Sequence, residues 1–335
     1  MNEIKNIAVV GAGFSGLATA IYLQLSKKVK VSIYEGDLPN EKASKVASGI
    51  IHPFPGQHCR PAKFFKEAIE EAFNFFSLIS SQKSSDWINN NGIYRVALTA
   101  EQEREFYDLV EKFPFVKKCN EDSYPLKKGS HGIHIEMAKT IFSATYLKAL
   151  ENFFLKIGGV IIKRQLKSCS EIIADFDHIV VAAGRNSDQL LGLSKLKYHK
   201  GQILIGKFSK PVNIKQSISG KGYLAPTEIK DEYAIGSTYE HRFDEEGPTL
   251  YAKEKICSDA LSYLHIEDFE VKEIRSGFRV TKKINGIPLV CKIDEKFSII
   301  SAMGSRGLLY HAYCAKILKE AILENKEIPK ELKDF

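Results

Sequence analysis

The sequence has no CxxC pair. Its six cysteines, at positions 59, 119, 169, 257, 291 and 314, lie far apart. Metal-site spacing is therefore missing and no metal is expected, while dispersed thiols suit a reducing cytoplasm. An uninterrupted membrane-length apolar run is lacking too. The nearest candidate, Ile7 to Leu25, is broken by three glycines and has no basic region before it or small-residue cleavage site after it. These features argue against both a signal peptide and a membrane span. No recognisable RNA-binding module is present. The net charge is +7, with lysine pairs at 27/28, 117/118, 127/128 and 282/283; a lysine-rich solvated surface accounts for it, and a nucleic-acid footprint is the alternative.

What is present begins at Lys5. An apolar strand runs into Gly11-Ala12-Gly13-Phe14-Ser15-Gly16, a helical run follows, and a second strand ends in Glu35. A lone GxGxxG says little. Here it follows a strand, opens a helix and precedes an acid by about 20 positions, as a dinucleotide fold requires. Gly11 allows the tight turn, Gly13 leaves room for a pyrophosphate, and Gly16 lets helix and sheet pack closely. The helix start offers N–H groups and the positive end of its dipole to phosphate. Glu35 accepts ribose hydroxyls and disfavours a 2′-phosphate, so a nucleotide of the FAD or NAD type is expected.

At 335 residues the chain is expected to divide into two lobes. Beyond a loop with Pro39, the small and hydroxyl residues from Ala43 to Ile50 let the backbone run close to a flat or anionic ligand. His52-Pro53-Phe54-Pro55-Gly56, just after, matches no pattern with an assigned role. Residues 62–80 read as an amphipathic helix with Phe65, Ile69, Phe73 and Phe76 on its core face. From 86 to 135 the character changes: Trp87, an Asn-Asn-Asn-Gly turn, a strand Ile93 to Leu98 and a charged helix near 100–112 are placed outside the nucleotide lobe. A helix Ala144 to Ile157 and a strand Val160 to Ile162 return to it. The apolar strand before Ala182-Ala183-Gly184 reads as a buried parallel strand with an open end beside the cofactor. Short strands at Gln202–Phe208, Gly222–Ala225 and Tyr233–Thr238 suggest an antiparallel sheet interrupted by a helix near 250–264. Finally, Phe297 to Ala302, the Gly304-Ser305-Arg306-Gly307-Leu308 turn and a helix to about Glu324 repeat the strand, glycine turn and helix sequence.

In their order and spacing these pieces resemble the D-amino-acid oxidase superfamily of flavoproteins, whose branches include glycine oxidase, sarcosine oxidase and the oxidoreductase domain of a bifunctional tRNA wobble-uridine enzyme. The resemblance covers nearly the whole chain. It rests on Gly11 to Gly16, Ala43 to Ile50, Val180 to Gly184, the His199-Lys200-Gly201-Gln202 turn, Gly222 to Pro226, Ile235 to Thr238, Gly277 to Arg279 with Gly286-Ile287-Pro288, and Gly304 to Leu308. It implies an α/β fold with a Rossmann-like FAD-binding domain made of discontinuous segments (1–85, 140–200 and 275–335) and a substrate domain with a mainly antiparallel sheet (86–139 and 201–274).

The cofactor implied is FAD. Phe14, Ser15, Glu35 and Gly36 would hold its adenosine and pyrophosphate, and Ala43, Ser44, Ser48, Gly49 and Ile50 would run along the phosphate and isoalloxazine, with Ala183 and Gly184 beside it. Gly304, Ser305, Arg306, Gly307 and Leu308 would meet the pyrimidine end. Arg279 sits where amino-acid oxidases place the arginine that pairs with the substrate carboxylate, and Tyr223 and Tyr239 match pocket-lining positions of glycine oxidase. Arg306 adds a second cation, in a Gly-Ser-Arg-Gly turn closer to the tRNA-modifying branch. The expected partner is a small amine or amino acid. A carboxymethylaminomethyl group on tRNA is the alternative, although the methyltransferase half of the bifunctional enzyme is absent. A non-catalytic flavin protein and an NAD-dependent dehydrogenase are the remaining readings.

Overall fold

The computed structural model describes residues 5–36, 43–80, 86–213, 215–282 and 286–334; the expected loop around Pro39 and residue Asn285 lie outside the described residues. Within Lys5–Val10, residues 7 to 10 are all buried. A strand apolar on both faces belongs inside a parallel sheet covered on each side. It lies between His178–Val181 and Val29–Glu35, parallel to both. Six strands make this sheet, in the order Leu289–Lys292, Phe297–Ser301, His178–Val181, Lys5–Val10, Val29–Glu35 and Val160–Lys163. Only the first pair is antiparallel.

On one side of it the helix Phe14–Leu25 packs against Gly307–Glu324 and Ser143–Lys156. These helices share one core with Phe65–Ile79, whose inward face is Ala68, Ile69, Ala72, Phe75, Phe76 and Ile79. Phe65 and Phe73 of the expected stripe are only half buried, because the helix is rotated to set Phe75 inward. Trp87 joins the same core, 4.5 Å from Tyr146 and 5.5 Å from Phe76 between ring centroids. It thus packs with the helices of the parallel sheet, a correction to its expected place. Composition shifts at that point in the chain, but the size of an indole demands an apolar niche wherever one is in reach.

A second sheet has eight strands, in the order Phe269–Lys282, Leu196–Phe208, Tyr233–Gly236, Gly222–Pro226, Ser217–Gly220, Ile93–Val96, Ser130–Ile135 and Val116–Glu121. Its pairs are antiparallel except Ser217–Gly220 with Ile93–Val96. The helix Leu250–Ala260 covers one face over Leu204, Leu224 and Ile235. Two of these strands are longer than their local pattern suggests. Leu196–Phe208 and Phe269–Lys282 pair from end to end with one register shift at Ile205/Gly206, so they run without a break through 200/201 and 274/275. A small third sheet, Ile50–Ile51, Lys139–Ile141 and Ile88–Asn89, sets Ile51 and Ile141 in the helical core and touches the second sheet through the hydrogen bond between the Thr140 and Ser217 hydroxyls at 2.6 Å.

Candidate active site

A cavity of about 1000 Å³ has both Glu35 and Arg279 on its wall. Its first end is made by backbone. Gly11 has φ +109°, and a Cβ there would stand 2.5 Å from the Ala182 carbonyl oxygen; one on Gly16 would stand 1.9 Å from the Gly11 carbonyl oxygen. Any larger residue at either position pushes the turn out of the cavity floor. Gly13, at the N-cap of the helix Phe14–Leu25, has no side chain to cap it, so beyond the Phe14 N–H its first turn keeps N–H groups for a ligand. Buried Glu35 accepts the Ala12 N–H, which ties the acid to the turn. Ser44 Oγ accepts the Phe14 N–H at 3.2 Å. Gly36 approaches Gln165 so closely that a Cβ would meet its Oε1 at 1.7 Å.

The middle of the wall is formed by Ala43, Ser44, Ser48, Gly49 and Ile50 on one side and Ala183 and Gly184 on another. Gly304 to Leu308 close it, and Arg306 immediately precedes the uncapped helix Gly307–Glu324. Glycine turns without bulk, two helix starts and a buried acid form a cradle that fits FAD. Gly11, Gly13, Phe14, Ser15, Glu35 and Gly36 would hold its nucleotide part, and the later turns its ring.

The other end is made by side chains on the eight-stranded sheet. Arg279 Nη1 donates to the Thr238 carbonyl at 2.9 Å and Nη2 donates to Ser237 Oγ at 2.7 Å. Two of five donors are thereby used to fix the fork, and the others remain for a ligand. Gly201 makes this possible, since a Cβ there would lie 2.2 Å from Nη1. Burial lowers the guanidinium's pKa from its ordinary value, with Tyr223, Tyr239 and Glu240 opposing. The Ser48 hydroxyl donates to the Tyr223 hydroxyl at 2.6 Å. Burial raises the Tyr223 phenol, offset by Ser48, Arg279 and Ser237, so it stays protonated near neutrality.

Two expected residues are not on the cavity wall. Gly16 acts from behind, by letting the helix close on Gly11. Tyr239 is 49% exposed; its ring lies 4.8 Å from that of His199 and 5.3 Å from the Arg279 guanidinium carbon. It steadies the arginine from outside the cavity and does not line it, because His199 takes up its face.

Among the wall residues not singled out as site residues from the sequence are His52, Arg95, Ser219 and Ser237. For His52 the unassigned motif was a signal. Phe54 within it is buried against Phe113 and Phe115, and Arg95 donates to the carbonyls of Phe54 and Gly56, so the segment is a pinned part of the wall. Arg95 gave no signal, since a lone arginine in a strand reads as solvent-facing. Burial first, then the charges of Arg95 and Arg306, hold the His52 imidazole down to about 3.

Comparison with known proteins matches residues 6–321 to the family described as FAD dependent oxidoreductase (DAO). A D-amino-acid oxidase of Dictyostelium discoideum is 26% identical over 255 residues, 75% of this chain and 70% of that protein. Among solved structures, iminodiacetate oxidase from Chelativorans sp. BNC1 superposes with a TM-score of 0.82 at 16% identity, covering 98% of each chain. Glycine oxidase from Geobacillus kaustophilus gives 0.81 at 17% identity, covering 97% of this chain and 96% of that one. Among the described residues no helix is long and apolar enough to cross a membrane.

Proposed function

The chain belongs to the family of FAD dependent oxidoreductases, and from that premise we propose that it oxidises the C–N bond of a small amino acid or N-substituted glycine. The observation that carries this reading is Arg279, a half-buried guanidinium fixed by Ser237 and Thr238 with donors to spare on the cavity wall. A planar fork binds a carboxylate in two places and so sets which C–H bond faces the ring. FAD supplies the acceptor for the two electrons and hydrogen leaving that carbon. Tyr223, held by Ser48, closes the same wall. An amine that arrives neutral has already lost its proton, so no acid/base pair is required of the chain. The dispersed cysteines support a cytoplasmic setting.

A second reading is oxidative removal of the carboxymethyl group from carboxymethylaminomethyl-uridine in tRNA, releasing glyoxylate after hydrolysis. The net charge of +7 and the Gly-Ser-Arg-Gly turn carrying Arg306 favour it, and the same Arg279 would serve. Purified enzyme assayed with glycine, sarcosine, D-alanine and modified tRNA separates the two readings: turnover of free amino acids alone ends the tRNA reading. Failure of every amine to bleach the flavin anaerobically would leave a non-catalytic flavin protein.

A further inference from the structure

Arg279 accounts for one acid group, yet the cavity has a second cationic pole that this role leaves unused. In the eight-stranded sheet Ser219 is paired with Tyr223 on one side and with Arg95 on the other. Directly paired residues share a face of the sheet. The three residues therefore form a straight row, and all three line the cavity. At about 4.8 Å per strand the Arg95 backbone stands roughly 10 Å beyond that of Tyr223.

Arg95 is only 5% exposed. Its Nη1 and Nη2 donate to the Phe54 and Gly56 carbonyls at 3.3 and 2.9 Å, while its buried Nε–H has no partner among the described residues. No carboxylate pairs with it among them either. A buried cation without a counter-charge is costly to maintain. Beside it on the wall, His52 Nδ1 accepts the Phe54 N–H at 3.3 Å, which leaves the other ring nitrogen as a donor. Arg306 is on the same wall. The grouping offers donors and positive charge and lacks an acceptor of opposite sign.

We propose that the Arg95 and His52 end of the cavity is a second acid-recognition subsite, and that the substrate is a diacid amine. Its carboxylate next to the oxidised C–N bond meets Arg279, and its second carboxylate, several bonds away, meets Arg95. This rests on the amine-oxidising reading above. A monoacid would leave the Arg95 charge uncompensated in the closed complex, whereas a diacid of the right length neutralises both poles.

The test uses the FAD-loaded enzyme and two readouts. In the first, sarcosine is compared with iminodiacetate, N-(2-carboxyethyl)glycine and N-(3-carboxypropyl)glycine in anaerobic flavin reduction and in steady state. At least one diacid is expected to exceed sarcosine by about tenfold or more in kcat/KM, the value of a charge-assisted contact. Arg95→Met should erase that ratio, and Arg95→Lys should restore part of it. In the second, succinate, glutarate and adipate are titrated against acetate and butyrate while the flavin absorbance of the wild-type protein is followed, with no turnover involved. Tighter binding of a diacid is expected. Equal handling of monoacids and diacids in both readouts, or activity confined to modified tRNA, overturns the subsite while leaving flavin chemistry intact. Absence of flavin reduction by any amine sinks the underlying reading instead.

Discussion

The two ends of the cavity are built on opposite principles. At the nucleotide end, backbone does the work. Gly11, Gly13 and Gly16 come from one short stretch, and the acid that joins them, Glu35, closes the next strand. At the end proposed for the substrate, side chains do the work, and they come from far apart: Ser48 meets Tyr223 across 175 positions, and Arg279 meets Ser237 across 42. A backbone site tolerates no added bulk. A side-chain site tolerates bulk poorly only where a group such as the Arg279 guanidinium is pressed against a neighbouring strand.

The contrast is sharpened most by Gly16→Val. With even a Cβ placed 1.9 Å from the Gly11 carbonyl, the helix cannot close, and the purified variant is expected to lose flavin absorbance altogether and to unfold at lower temperature. Arg279→Ala acts on the other end alone. It should keep its flavin spectrum and lose roughly 10²–10³-fold in kcat/KM for the acid-bearing amine, the usual cost of removing one partner of a buried charged pair; equal loss of flavin would break the comparison.

A third expectation concerns acid. His311, at the start of the helix Gly307–Glu324, is fully buried between the Leu308 carbonyl and the Tyr146 hydroxyl, and burial lowers its pKa to about 4. The unfolded chain takes up this proton near the ordinary pKa of about 6.5, and the folded chain only near 4. Its contribution is therefore complete above pH 6.5 and is lost as pH falls toward 4, on the order of 3 kcal/mol in all. Denaturant midpoints measured from pH 8 to 4 should show this decline, and His311→Gln should flatten it. The smallest effect is that of Gly201→Ala, where the new methyl displaces the Arg279 fork. A rise in KM of about tenfold with unchanged flavin content is expected; an unaltered KM would show that the fork is not held where Gly201 permits it.

Much of the parallel sheet was legible in the chain. Lys5–Val10, Phe14–Leu25 and His178–Val181 are announced by apolar runs bounded by glycine. Of the site residues singled out from the sequence, all but Gly16 and Tyr239 lie on the cavity wall. The misplacements have one physical cause. Trp87, Tyr239 and Arg95 sit in stretches whose local pattern does not fix which way a side chain faces. Trp87 found an aromatic niche, Tyr239 a histidine face, and Arg95 a position under the Phe54 to Gly56 segment.

By itself the sequence determined the strand, turn and helix that present a nucleotide cradle, because that geometry depends on the backbone freedom of a few glycines and on contacts within about 30 residues. Only the tertiary structure decided how Arg95, Ser219 and Tyr223 line up, and that Arg279 lies over Gly201. Those relations are set by the register between strands distant in the chain, and a shift of one residue would turn each of these side chains to the opposite face.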